Sequence, residues 1–520
     1  MRAVLAGLIK SVITTVIFFA IIEVGLRAVY GVRNALVHVV PLPYALGDEY
    51  GPIPPWLDRL MILVPDDTVI WRLLPDVNRT YLDIFSPVPT AEDRTALLRR
   101  FTPTVPAEFA NNPTWRVAIN TQGFRGSNIG PKAPGAIRIA CVGDSWTFGM
   151  PVDQDRSYPS RLAARLPEAD PAHHYEVVNL GVLGYTSFQG LQLLKSRVLA
   201  LEPDIVAIGF GMNDSDVAGY RDKDLVANQP PGLATRLKER AKDLESYKLL
   251  DYAALRLKYR PKAMGDYLTE DAADKGSGAV DYSTIEPWTR VSPVDYESNI
   301  REMTRLSQAR GAKVVLIDNE LWEESPYRPV LRKLSAELHV PLVDGLAIIA
   351  EAKQRAAQDL EERLGVADGA TRGGAASSSG GAGQTTVVFR AYRGDSTVPR
   401  ALSIVGPNGS LGQNVPNTVL MHDDGQDGDE RAGDGIWSLR AVFAPGTRLT
   451  YVYTNSGRAG HWEGLDVPTI RHATVPASAG VAYFPLETFG RLYLQGDNWH
   501  TDAEGYDLIA RAVAQAIAGQ

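Results

Sequence analysis

Residues 137–145 read IRIACVGDS. The apolar run Ile137–Val142 stops at Gly143, the texture of a short strand buried on both faces, and the polar pair Asp144-Ser145 follows at once. Downstream the texture recurs with helices between. The pattern predicts a helix over 157–166, a strand at Glu176–Leu180, a helix over 187–200 and a strand at Asp204–Phe210. Ser292-Pro293 opens another helix, with Ser as N-cap and Pro at the first helical position. Lys313–Ile317 and Val340–Val343 read as the fourth and fifth strands, before a helix over 346–364. Strands that alternate with helices imply an α/β domain whose parallel sheet is covered on both faces. Between the third and fourth strands, 232–259 is charged and helix-prone and 260–290 reads as loop.

Further out the pattern changes. Residues 366–384 form a Gly/Ser/Ala linker, containing ADGATRGGAASSSGGAGQ. Residues 385–478 turn to β texture, with TTVVFRAY, ALSIVG, WSLRAVF and RLTYVYT separated by turn residues, and read as a β-sandwich. The segment 479–520 ends in a helix over Ala503–Ala518, so the sandwich is inserted into an α/β domain that spans 116–365 and 479–520. Ahead of it, 31–115 is an irregular, partly β lead-in region. Residues 1–30 hold the run AVLAGLIKSVITTVIFFAII at 3–22, close to the ~20 residues that a spanning helix needs. Lys10 and Glu23 interrupt it, and Arg2, Arg27 and Arg33 flank both sides. The expectation is an uncleaved N-terminal membrane helix with the rest of the chain periplasmic or extracellular, against a cleaved signal peptide or a buried helix.

Composition narrows the partners. The 520 residues carry 53 Lys+Arg against 61 Asp+Glu, a net charge of -8, which argues against a nucleic-acid partner. With 45% hydrophobic and 22% charged residues the chain is globular rather than disordered. The single cysteine, Cys141, excludes an internal disulfide and a Cys-rich zinc site.

Four short segments carry chemistry. Gly143-Asp144-Ser145 stands at a strand end, where α/β sheets bind ligands, and the N–H groups that follow suit a developing oxyanion. The second copy, Gly394-Asp395-Ser396, lies between β texture and Thr397-Val398-Pro399, so it reads as a turn, and Arg393-Gly394-Asp395 reads as chance rather than an adhesion motif. A serine nucleophile needs a base, usually histidine. Of the eight histidines only His500 has an acid three residues before it, Asp497, and a helix just after. Asn179-Leu180-Gly181-Val182-Leu183-Gly184 follows the second strand, where glycine lets a backbone N–H approach a ligand. Gly211-Met212-Asn213-Asp214 follows the third, where the Asn213 amide can donate to an oxyanion. Singly, each of these segments reads equally as a turn or a cap.

Together they resemble the SGNH (GDSL) hydrolase family. The resemblance spans about residues 115–345 and 485–520 and extends to Asn120-Thr121-Gln122-Gly123-Phe124-Arg125, to Val291-Ser292-Pro293 and to Asp295-Tyr296. Glu23 and Arg27 resemble membrane-anchored bacterial members. The resemblance implies a three-layer α/β/α flavodoxin-like fold and a serine esterase, lipase, deacetylase or acyltransferase. It implies a triad of Ser145, His500 and Asp497, an oxyanion hole from Ser145, Gly181 and Asn213, and no cofactor for catalysis. The β insert, the long segment at 220–290 and Trp146 directly after the nucleophile depart from the pattern; Trp146 reads as acyl-pocket wall or as core.

In the insert, DDGQDGDERAGDGIWS at 423–438 sets Asp423, Asp424, Asp427, Asp429 and Asp434 among glycines. The run reads as a solvated turn cluster or as a site for structural Ca²⁺, without the EF-hand spacing. Trp437, Tyr451, Tyr453 and Trp462 read as sandwich core or as a platform for a sugar. The leading expectation is a membrane-anchored serine esterase acting on acetyl esters, with acylated glycan as partner. The alternatives are an O-acyltransferase with the same triad and a non-catalytic carbohydrate-binding or adhesion protein.

Overall fold

The structure is a computed structural model. It describes residues 62–80, 116–216, 221–226, 289–366, 383–394, 401–413, 417–454, 471–478, 480–491, 493–496 and 499–519, with residues 17–26, a few positions before them, and 244, 246 and 415.

Strands β1 (Leu63–Asp66) and β2 (Ile70–Leu73) pair antiparallel, as do β3 (Val77–Thr80) and β4 (Arg116–Ile119). The central sheet then begins with β5 (Ala136–Gly143), which is followed by the short helix α1 (Ser145–Phe148), by α2 (Tyr158–Ala169), by β6 (His174–Gly181) and by α3 (Ser187–Leu193). It continues through β7 (Ile205–Gly209), α4 (Pro293–Gln308), β8 (Lys313–Asp318), α5 (Tyr327–Leu338), β9 (Leu342–Asp344) and α6 (Gly345–Leu364). The five strands are parallel, in the order β6-β5-β7-β8-β9. Ser292 caps α4 by accepting the Asp295 N–H, as the Ser-Pro pair predicts.

Alternation along the strands builds two cores. Ala140, Val142, Val206, Ile208, Val314 and Leu316 face one side, under Tyr296, Ile300 and Met303 of α4 and Leu331 of α5. Ile139, Cys141, Ala207, Val315 and Ile317 face the other, under Leu162 of α2. The last helix, α7 (Ala503–Ala518), joins this second layer through Tyr506, Ile509 and Val513. Segments on both sides of the β texture therefore complete one α/β unit.

The described part of the lead-in is not a separate body. Ile62, Leu63, Trp71, Leu73 and Val77 belong to the first core. Trp71 Nε1 donates to the Leu183 carbonyl at 3.1 Å, and the Tyr185 hydroxyl donates to the Trp71 carbonyl at 2.6 Å.

The β texture forms two further sheets. In one, β10 (Thr385–Tyr392) pairs antiparallel with β13 (Ile436–Phe443) and parallel with β16 (Gly480–Tyr483) and β17 (Glu487–Thr488). In the other the order is β12 (Val419–Leu420), β11 (Ser403–Val405), β14 (Arg448–Thr454) and β15 (Arg471–Thr474). They share a core of Val387, Phe389, Ile404, Leu449, Tyr451 and Tyr453. The pairing runs on to Thr488, past the expected limit at 478, since Gly480–Tyr483 and Glu487–Thr488 lie alongside β10.

Tyr451 and Tyr453 are core rather than platform. Both are buried, and both hydroxyls donate to Glu487 Oε2, at 3.0 and 2.9 Å. Trp462 lies outside the described residues, as do Asp395-Ser396 and most of 220–290. Helical residues 17–26 are described, and among the described residues no helix is long and apolar enough to cross a membrane.

Candidate active site

The site is built at the carboxyl edge of the central sheet. Three glycines, Gly143, Gly181 and Gly209, stand in register at the ends of β5, β6 and β7. A Cβ on Gly143 would lie 2.1 Å from Thr147 Oγ1 and 2.6 Å from the Gly209 carbonyl oxygen. Only glycine lets the chain turn from β5 into α1 that tightly. Asp144 caps α1, its Oδ1 accepting the Trp146 N–H at 2.9 Å.

Ser145, the first residue of α1, meets His500 across 355 positions of sequence. His500 Nε2 lies 2.8 Å from Ser145 Oγ, and both side chains are buried. With the ring proton on Nδ1, the hydroxyl donates to Nε2, the geometry a general base requires. His500 is delivered by a packed loop ahead of α7. The Gly496 N–H donates to the His500 carbonyl at 2.9 Å, and Thr501 Oγ1 donates to the Leu494 carbonyl at 2.6 Å. A Cβ on Gly496 would lie 2.5 Å from Pro151 Cδ, so the loop presses against the segment that follows α1. Asp497, the expected third member, lies outside the described residues.

The other end of α1 is pinned by a residue that the sequence singled out only as part of a resemblance. Asn120 Oδ1 accepts the N–H groups of Gln122 and Phe124, at 2.9 and 3.0 Å, and the turn delivers Arg125 to the interior. The Arg125 guanidinium donates to the carbonyls of Phe148, Gly149 and Val152, at 2.7, 2.8 and 2.7 Å. Burial lowers its pKa to about 10, against the raising influence of Tyr506, Asp153 and Asp155.

The expected oxyanion residues differ in what their donors do. The Ser145 N–H has no hydrogen-bond partner among the described residues. The Gly181 N–H donates to Asn179 Oδ1 at 3.0 Å, and a Cβ there would lie 2.1 Å from the Phe148 nitrogen. Gly181 is thus required for the close pass of β6 under α1. Gly184, three residues on, sits at φ +72, and its N–H has no partner among the described residues. Its carbonyl accepts from Arg290 Nη1 at 2.8 Å. Asn213 Nδ2 donates to the Tyr185 carbonyl at 3.0 Å and to Asp144 Oδ2 at 3.3 Å.

Sequence reasoning missed Asn319, just beyond β8, whose Nδ2 donates to Asp144 Oδ2 at 2.8 Å. Its signal was its place, a polar residue at the end of the fourth strand of the same sheet. Burial pushes the Asp144 carboxyl up to about 6, opposed by the Trp146 N–H, by His500 and by Asn319. Beside it, burial and the neighbouring Asp318 and Asp214 raise the Glu320 pKa well above the usual range. A Cβ on Gly211 would lie 2.6 Å from Glu320 Oε1, so glycine is needed where the Asn213 loop crosses this side chain. Trp146 is core: it is buried edge-on to Tyr506, and its Nε1 donates to the Trp499 carbonyl at 2.9 Å.

Residues 141–365 match the GDSL-like Lipase/Acylhydrolase family. The matched stretch starts in β5, carries Ser145, Gly181 and Asn213, and stops at the end of α6, before the β unit and before His500. This chain is a serine ester hydrolase. No curated protein matches the hydrolase in sequence. Among solved structures it is similar to a lipolytic protein of the G-D-S-L family from Desulfitobacterium hafniense, at 14% identity over 41% of this chain and 79% of that one, with a TM-score of 0.24. It is also similar to a catalytic mutant of Axe2, an acetylxylan esterase from Geobacillus stearothermophilus, at 14% identity over 42% and 80%, with a TM-score of 0.24. A GDSL-like lipase from Bacteroides thetaiotaomicron stands at 14% identity over 42% and 74%, with a TM-score of 0.23. TM-scores this low add nothing to the family match.

Away from the catalytic edge of the hydrolase, Asp423, Asp429 and Asp434 bring carboxylate oxygens within 4.8 Å of one another. Asp424 and Asp427 do not join them and lie instead 3.7 and 3.9 Å from the ring nitrogens of His422. Asp423 and Asp434 are half-buried and Asp429 is buried, and all three also accept backbone N–H groups: Asp423 from Gly433, Asp429 from Gly425 and Asp434 from Ile436. Among the described residues nothing else at the cluster points to an ion.

Proposed function

We propose that the hydrolase cleaves acetyl esters through an acyl-serine intermediate. The observation that carries this reading is the 2.8 Å contact between Ser145 Oγ and His500 Nε2. His500 takes the hydroxyl proton as Oγ bonds to the carbonyl carbon, and returns it to the alkoxide as the C–O bond breaks. Water, deprotonated by the same imidazole, then releases the acyl group. The oxyanion is held by the Ser145 N–H together with that of Gly184, both without partners among the described residues. Asn213 fixes this loop through the Tyr185 carbonyl; the third place of the triad is assigned to Asp497 from the sequence, three residues before His500. Loss of one such donor costs ~3–4 kcal/mol in the barrier.

A short acyl group is favoured because Ser145 is only 6% exposed. An acylated glycan is the substrate class we propose, on the half-buried Trp499 indole beside His500, a surface suited to a sugar ring. Transfer to a sugar hydroxyl instead of water uses the same groups. The β unit is read as a sandwich inserted in the α/β fold. Residues 1–30 are read as a membrane anchor that leaves the enzyme periplasmic or extracellular; the support is the apolar run at 3–22, with Ile17, Phe18, Phe19 and Ile21 exposed on the helix.

The test is Ser145→Ala, assayed on p-nitrophenyl acetate and with a fluorophosphonate probe. Loss of both turnover and labelling is expected. Full turnover by the variant would remove the nucleophile and the reading with it.

A further inference from the structure

We infer that His472, contributed by the β unit, is a positioning residue for the catalytic histidine. This rests on the Ser145–His500 reading above. His472 lies in β15, opposite Thr450 of β14, and its Nδ1 is 3.4 Å from Thr450 Oγ1. Its ring stacks on Trp499, the residue immediately before His500, with centroids 6.4 Å apart and planes at 26°. The same ring stands edge-on to Trp322, at 4.9 Å and 80°. Both separations lie in the range over which aromatic pairs attract.

Trp322 is itself fixed. It is buried on the loop between β8 and α5, and the Arg448 guanidinium of β14 lies 5.3 Å from its ring centroid. Arg448 Nε donates to Glu324 Oε2 at 3.0 Å, which ties the β unit to that same loop.

Trp499 is therefore gripped at two points. Trp146, next to the nucleophile, holds its carbonyl, and His472 holds its ring. His500 is one peptide further on, and its Nε2 must stay within hydrogen-bond reach of Ser145 Oγ. A displacement of about 1 Å at a catalytic group can cost up to ~10²-fold in rate. Removal of the His472 ring takes away the stack that fixes the Trp499 indole, so the loop shifts and the dyad opens. The β unit thus completes the active site, and is more than an accessory domain on the same chain.

The experiment compares His472→Ala and His472→Phe in the full chain. Readouts are kcat and KM on p-nitrophenyl acetate, the second-order rate of Ser145 labelling by a fluorophosphonate, and the melting curve. His472→Ala is expected to lower kcat and labelling rate about tenfold with KM within twofold. His472→Phe, which refills the planar stack, is expected to recover kcat to within threefold. If the alanine variant does not melt cooperatively, His472→Leu takes its place, since it fills the volume without a planar ring. Wild-type labelling by the ring-less variant, or equal loss in the Phe variant, overturns the inference. Ser145→Ala run in parallel separates the two levels: if it labels and turns over normally, the reading beneath has failed, and if it is dead while His472→Ala is normal, only the positioning role has failed.

Discussion

Arg125→Met would remove the cation that holds the end of the nucleophile turn. Three short charge-assisted hydrogen bonds are lost, to Phe148, Gly149 and Val152, with a longer one to the Arg116 carbonyl. At ~1.5–3 kcal/mol each they amount to roughly 5–9 kcal/mol. Against this stands the cost of burying the charge. The fall of the guanidinium pKa from 12.5 to about 10 corresponds to ~3 kcal/mol, at 1.36 kcal/mol per pH unit. The net loss is about 2–6 kcal/mol, the order found when one partner of a buried charged cluster is removed. At ~2–4 °C per kcal/mol for a unit of this size, the melting temperature should fall by roughly 4–24 °C. Because the three carbonyls lie at or just past the end of α1, fluorophosphonate labelling of Ser145 at 25 °C should also slow, by about tenfold. Arg125→Lys should recover part of each loss, since one ammonium cannot span three carbonyls in the guanidinium's fork. Thermal melts by circular dichroism and labelling kinetics on the same preparations decide it. A fall below 1 kcal/mol with a wild-type labelling rate would refute the claim that Arg125 pins the turn.

Asn319→Leu should lower kcat by about tenfold with KM little changed, because Asp144 loses its shorter amide partner; steady-state kinetics check this. The pKa of Asp144 is about 6 in the folded chain against an ordinary 3.8, so the folded state holds the extra proton between these values. Its contribution to stability is full below pH ~4 and is lost as pH rises to ~6, by up to about 3 kcal/mol. Asp144→Asn should flatten the denaturant-derived stability curve over that window, and an unchanged slope would exclude the assignment. EDTA should leave p-nitrophenyl acetate turnover unchanged, because proton transfer between Ser145 and His500 needs no metal; a loss restored by Ca²⁺ would overturn this. Gly143→Ala should abolish labelling of Ser145, since a Cβ would overlap Thr147 Oγ1.

Much of the α/β unit was legible in the sequence because its strands are buried on both faces and its helices carry caps. The run at 137–143 became β5, Ser292 caps α4, and the closing helix spans Ala503–Ala518 as read. Those signals are local, written in the same few residues that adopt the structure. The π and 3₁₀ turns that replace the end of the expected helix over 187–200 carry no such signal. The strand Gly480–Tyr483 was missed because its partner lies almost a hundred residues earlier, on β10.

The site divides along the same line. The chain order of Gly143-Asp144-Ser145, Asn213 and His500 was enough to propose a nucleophile, a polar strand-end residue and a base, because each chemistry needs a particular side chain. Which donors are open was settled by folding alone. Gly181 and Gly184 are indistinguishable as letters, yet one N–H is spent on Asn179 and the other is not. Arg125, Asn319 and His472 gained their roles from neighbours that are 23 or more positions away in the chain. Sequence determined the functional groups and the layers. Tertiary packing determined the distances between them, since hydrogen bonds and ring contacts depend on separations of a few ångströms that no linear spacing encodes across 355 residues.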